Sequence, residues 1–246
     1  MLSRHKRIVA ASVLASLLTL PALAGAATLQ FSGYTWDVRS GDGGPGPCHW
    51  SESNAWVDDA GQLHLKLSKD SGTWSCAEVS LAETNRLGFG VYQFEVIGQI
   101  DRLDRNVVLG MFNYPPPDVG PDSTNEIDVE IARWGNPSYP NLNFTAWPTR
   151  DNLLQQGKSF EFSLDGTYTT HRFTWRSNSI LFQSLNGHRD DNQSQIARWK
   201  FVPKAPRRYI PQRPLPVHIN LWLFEGNPPA DGREVEIVVS KFSYHP

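Results

Sequence analysis

The chain lacks what several large protein classes require. It has only two cysteines, Cys48 and Cys76, in 246 residues. One Cys pair without a matching His pair excludes a structural zinc site, and two thiols cannot staple a chain of this length as a Cys-rich framework. Basic charge is not in excess, since 23 Lys and Arg stand against 25 Asp and Glu. That speaks against a nucleic-acid partner, because phosphates call for a basic surface. Beyond the N-terminal segment, no apolar run approaches the ~20 residues of a membrane-spanning helix. A long amphipathic helical pattern and an internal repeat of fixed period are also missing. Aromatic residues, by contrast, are plentiful, with nine Trp. Such a set suits either a large core or a surface that handles uncharged, ring-shaped ligands.

The N-terminus reads as an export signal. Arg4, His5, Lys6 and Arg7 precede an apolar run from Ile8 to about Leu20, and the small residues around Ala22, Ala24 and Ala26 follow. This pattern predicts a signal peptide over 1–26, cleaved after Ala24 or Ala26, with an uncleaved anchor as the alternative. Loss of Arg4, Lys6 and Arg7 leaves 20 basic against 25 acidic residues, a net charge of −5. The remaining 27–246 is expected to form a single domain, secreted or periplasmic. In an exported chain the two cysteines most simply pair with each other, stabilising the fold by roughly 3–4 kcal/mol. We expect a monomer that is free of the membrane after cleavage and needs no cofactor or metal.

Many short alternating segments, punctuated by turn residues, predict an all-β sandwich or jelly roll. Strands are expected at Trp56-Val57, 63–67, 90–97, 106–112, 141–147, 160–164, 170–175, 179–185, 218–224 and 233–244. Asn186-Gly187 reads as a two-residue hairpin turn. Loops are expected at 41–47 and over the proline-rich, basic 204–216, and one or two helical turns within 191–199. Trp36, Trp56 and Trp175 fit core positions, and His64 a surface position. Asn143-Phe144-Thr145 and Asn192-Gln193-Ser194 match the glycosylation sequon.

One stretch stands out chemically. In Asn125-Glu-Ile-Asp-Val-Glu-Ile131, acidic and β-branched residues alternate, so Glu126, Asp128 and Glu130 share one strand face and Ile127, Val129 and Ile131 the other. Three like charges on one face repel, and desolvation raises their pKa values further. Two carboxyls of unequal pKa are what cleavage of a glycosidic bond needs. A solvated acidic face, or one gathering a hard cation such as calcium, has the same pattern.

Together with Cys48-His-Trp50, Cys76-Ala-Glu78, Gly88-Phe-Gly-Val-Tyr92 and Ile219-Asn-Leu-Trp222, this ladder resembles glycoside hydrolase family 16, especially its bacterial lichenase (β-1,3-1,4-glucanase) branch. The resemblance covers nearly the whole mature chain. It implies a concanavalin A-like jelly roll of two curved antiparallel sheets and a secreted, endo-acting hydrolase of β-glucan-type polysaccharides that works with retention. Glu126 would be the nucleophile, Glu130 the general acid/base, and Asp128 the residue between that tunes them. Glu78, Asn220 and Trp222 would bind substrate by the same match. Tyr114, Trp134, Asn143 and Trp147 join them by their nearness to the acidic strand. Thr124-Asn125 stands where lichenases usually carry Trp-Asp, Ser80 where they tend to carry an Arg, and Ser240 where an Asp often holds calcium. A transglycosylase of the same family, or a non-catalytic carbohydrate-binding protein on the same fold, is the alternative.

Overall fold

A computed structural model describes residues 27–82 and 84–246; the expected signal peptide lies outside the described residues. The strands are, in chain order, β1 (Thr28–Phe31), β2 (Tyr34–Val38), β3 (Gly41–Gly43), β4 (Cys48–Trp50), β5 (Ala55–Val57), β6 (Leu63–Asp70), β7 (Thr73–Ser75), β8 (Ala77–Leu81) and β9 (Gly90–Ile97). They continue as β10 (Val107–Asn113), β11 (Ile127–Ile131), β12 (Leu142–Ala146), β13 (Gln156–Phe160), β14 (Tyr168–Arg176), β15 (Ser179–Asn186), β16 (Gln195–Phe201), β17 (Val217–Leu223) and β18 (Val235–His245). One α-helical turn, α1 (Pro206–Tyr209), interrupts them.

Two antiparallel sheets carry the fold, as expected of a jelly roll. One runs β1-β2-β8-β17-β10-β11-β12-β13; the other runs β16-β15-β14-β9-β18-β6-β5, with β7 on β6. Their facing sides form one hydrophobic core. Alternation supplies it: Tyr92, Phe94 and Val96 of β9 in one sheet and Ile127, Val129 and Ile131 of β11 in the other are all buried in it. Aromatic rings bridge the sheets, with Phe144 stacked on Phe182 at 5.2 Å and Trp36 edge-on to Phe242 at 5.5 Å. Such pairs add roughly 0.5–1.5 kcal/mol each beyond the area they bury. Cys48 and Cys76 are joined in a disulfide, which fastens the β3–β4 ribbon to the start of β8.

Several local expectations need correction. The glycine-rich 41–47 is not all loop, because β3 and β4 pair across it. Residues 195–201 form β16 rather than helical turns, since they complete the sheet edge beside β15. Asn186-Gly187 opens a longer excursion to Gln195; the two-residue turn is instead Ser177-Asn178, between β14 and β15. The strand expected at 160–164 lies earlier, at β13. Residues 206–209 within the expected loop are helical. Trp56 is exposed, because in the three-residue β5 it is Ala55 that turns inward; the indole stacks on His64 at 4.9 Å. His64 is largely covered, held between Asp58 and Glu236.

Candidate active site

The outer face of the first sheet, opposite the core, carries a cleft of about 1000 Å³. Glu126, Asp128 and Glu130 lie along its floor. The local sequence explains their placement. Asn125 takes a left-handed turn at φ 51°, a conformation Asn tolerates well, just before β11 begins. Its N–H donates to Pro148 O and Trp147 N–H donates to Glu126 O, so the first acid enters already in register with β12. Ile127, Val129 and Ile131 anchor the other face in the core.

Pairing then spreads the site across neighbouring strands in rows. Glu130 sits between Gly110 of β10 and Asn143 of β12, and Gly110 in turn faces Asn220, which faces Glu78. The next row runs Thr145, Asp128, Phe112, His218 and Ser80. Gly110 is required by space rather than by backbone angle: a Cβ there would come within 2.5 Å of Asn220 Oδ1.

Electrostatics sets the trio apart from ordinary carboxylates. Burial first, and then the charge of Glu130, push Glu126 up to about 8, although its hydrogen bond with Asp128 pulls the other way. Asp128 is raised well above its usual value by burial and by Glu126, and Glu130 by burial and then Asp128. Asp128 Oδ2 accepts from Trp147 Nε1 at 2.8 Å, while Oδ1 is buried without a donor. The hydrogen bond between Asp128 and Glu126 raises Asp128 and lowers Glu126, so within that pair it favours the proton on Asp128. The arrangement holds at least one carboxyl neutral beside an ionisable one, the condition for general acid catalysis next to a nucleophile.

All seven residues expected to bind substrate line this same cleft. Glu78 is buried; its Oε2 accepts from Arg39 Nη1 at 3.0 Å and Asn220 Nδ2 at 3.4 Å. Burial alone would raise its pKa, but His218, Arg39 and Asn220 outweigh it and hold the group below the ordinary range. Asn143 donates to Ala132 O and accepts from Ser159 Oγ, which leaves its amide one further N–H and one further lone pair; as a buried residue it is no glycan acceptor in the folded state. Trp134, itself at φ 51°, packs near Trp222 and edge-on to Phe224. Arg133 holds that turn, pairing through both guanidinium nitrogens with Glu161 and donating to Pro137 O and Tyr139 O. Tyr114 donates to Asp122 at 2.7 Å.

Sequence reasoning missed Arg39, Phe112, Asp122, Lys158 and His218, which also line the cleft. For Phe112 a signal existed: it sits on the solvent-side parity of its strand, yet it is apolar; the parity of His218 was readable too, though a polar residue there is ordinary. Arg39 and Lys158 had none, because their approach depends on which strands become neighbours. Among the described residues, no grouping of three or more His, Cys, Asp or Glu side chains is arranged to hold a metal ion.

Comparison with protein-family models gives no match, and no curated protein matches the sequence. Solved structures do match. A lichenase from a mouse hindgut metagenome is 20% identical, with 86% of this chain and 92% of that one covered at a TM-score of 0.62. A β-glucanase of Bacillus licheniformis is 19% identical, with 91% and 99% covered and a TM-score of 0.63. An immunostimulatory antigen described as a pseudo β-1,3-glucanase of Mycobacterium tuberculosis is 18% identical, with 83% and 88% covered and a TM-score of 0.61. The chain thus has the jelly-roll fold of family 16-type glucanases.

Proposed function

We propose that this chain is an exported, endo-acting glycoside hydrolase of family 16 that cleaves a β-glucan-type polysaccharide with retention of configuration. The observation that carries the reading is the trio Glu126, Asp128 and Glu130 on one face of one strand, in an open cleft, with every member held above the usual acid range. Glu126 attacks the anomeric carbon while Glu130 protonates the departing oxygen, leaving a glycosyl-enzyme. Glu130 then takes a proton from the incoming water, whose attack frees the sugar and restores Glu126.

Asp128 keeps Glu126 usable. Protonated, it donates to the Glu126 carboxylate; Trp147 fixes its other oxygen and hence its direction. Trp134 and Trp222 offer ring faces to sugar C–H bonds, and Asn220, Asn143 and Glu78 offer polar atoms to hydroxyls. The Cys48–Cys76 disulfide supports an oxidising compartment, in line with the basic-then-apolar N-terminus. No described helix is long and apolar enough to cross a membrane.

The test is release of reducing ends from β-1,3-, β-1,4- and mixed-linkage glucans, with linkage analysis of the products. Glu130→Gln is expected to lose about 100- to 10,000-fold in rate, the usual contribution of a general acid, and Glu126→Gln at least as much. A Glu126→Ala protein with full hydrolytic activity rules the assignment out. Binding without cleavage by the unaltered chain would instead make it a carbohydrate-binding protein. Transfer to added acceptor sugars would make it a transglycosylase.

A further inference from the structure

His218 occupies the cleft between the acid trio and Arg39, and the mechanism above gives it no task. It lies on β17 two residues before Asn220, with Phe112 beside it on one strand and Ser80 on the other. Its ring is nearly parallel to Phe112, at 5.1 Å and 26° between planes. It stands edge-on to Tyr114 at 5.7 Å. Packing therefore fixes the plane of the imidazole.

Hydrogen bonding fixes which nitrogen carries the proton. Nδ1 is 3.2 Å from Glu78 Oε1, and Glu78 is ion-paired with Arg39 through its other oxygen. A carboxylate beside a permanently charged guanidinium has no hydrogen to give, so Nδ1 must donate. In the neutral ring that leaves Nε2 as a bare acceptor. Nε2 has no protein partner and is not sealed from solvent, and the ring lines the cleft. Two strand spacings separate His218 from Asp128, roughly 9–10 Å, so this acceptor addresses a sugar beyond the bond being cut.

We propose that His218 is a specificity-determining residue: its Nε2 accepts a hydrogen bond from one hydroxyl of the glycosyl unit seated beside Glu78, with Phe112 and Tyr114 holding the ring in place. The cleft thereby selects sugars that carry that hydroxyl in the matching orientation. This rests on the hydrolase reading.

Binding is the readout, measured by calorimetry on the Glu126→Gln chain with β-glucan tetrasaccharides of 1,3-, 1,4- and mixed linkage and their monodeoxy forms. His218→Asn keeps an amide N–H near the Nδ1 position for Glu78 but places nothing at Nε2. Removing one particular hydroxyl is expected to weaken binding about 3- to 10-fold on the His218 chain, the scale of one neutral hydrogen bond. On the His218→Asn background the full sugar should bind that much more weakly, and the deoxy sugar should lose nothing further. Equal losses on both backgrounds overturn the proposal while the hydrolase reading stands. So does the lack of any single sensitive hydroxyl on the His218 chain, a measurement that does not require the variant to fold. If no tetrasaccharide binds and the unaltered chain cleaves no glucan, the hydrolase reading falls and takes this proposal with it.

Discussion

At the scale of single residues, burial has already prepared the acids before a substrate arrives. Glu126 is held near 8, first by desolvation and then by Glu130, against an ordinary value of 4.5. Because a nucleophile must be ionised, the proposed role of Glu126 places the acid limb of kcat/KM well above 4.5 and toward about 8. A pH–rate profile checks this; a limb near the ordinary glutamate value would contradict the burial argument. The same shift affects stability. A carboxyl whose folded pKa is raised favours the folded state fully below its unfolded pKa, and that contribution is lost as pH rises through the folded value. Glu126→Gln is therefore expected to gain on the parent in Tm as pH climbs from 5 to 8, by roughly 2–4 °C if the change amounts to about 1 kcal/mol. The acidic ladder was legible in sequence because strict alternation assigns sides without any knowledge of neighbours. The parity of His218 was equally readable, but its bond to Glu78 spans 140 positions, and the bond of Asn220 to the same carboxylate spans 142. No local pattern encodes that meeting.

At the scale of elements, the site depends on strands lying side by side at a fixed register. Gly110 is the clearest case, since its missing side chain makes room for the Asn220 amide beside Glu130. Gly110→Ala is expected to displace Asn220, to destabilise by about 1–3 kcal/mol as overpacking does, and to lower activity by more than the stability change explains. Thermal unfolding and kcat/KM measured together would check it. Arg133 acts on a turn in the same way: by holding Glu161 and two carbonyls it sets the left-handed Trp134. Arg133→Ala should raise KM more than it lowers kcat. Most strands were readable, β9 with both ends as expected, because Tyr92, Phe94 and Val96 alternate cleanly with half-buried or polar residues. Edge segments were not. β16 looked helical because an edge strand need bury little, so its apolar period is weak. Asn186-Gly187 has the composition of a tight turn, yet the chain runs on, and Arg172 draws the backbone carbonyls of 189, 190 and 191 onto the sheet.

For the molecule as a whole, pH acts in two opposing senses. His171 is fully buried between Ser184 and Thr169, and burial pulls its pKa down to about 3. The unfolded chain binds that proton near 6.5 and the folded chain does not, so stability is fully present above 6.5 and is lost as pH falls toward 3. Each pH unit within this window is worth up to about 1.4 kcal/mol. The acid trio pulls the other way over the higher range. Tm is expected to decline on acidification below 6.5, and His171→Gln, which cannot ionise, to show a flatter curve there. A steep decline that survives this substitution would assign acid unfolding to other groups.

The sheet order has one further implication. β17, near the end of the chain, slots between β8 and β10, bringing Asn220 against Glu78. Until residue 223 has been made and inserted, the sheet is two separate halves and the groove has no continuous floor. A nascent chain that stops short of β17 therefore carries its acids without a continuous cleft. On this topology the proposed activity would require β17 to be in place, long after the acids themselves have been made.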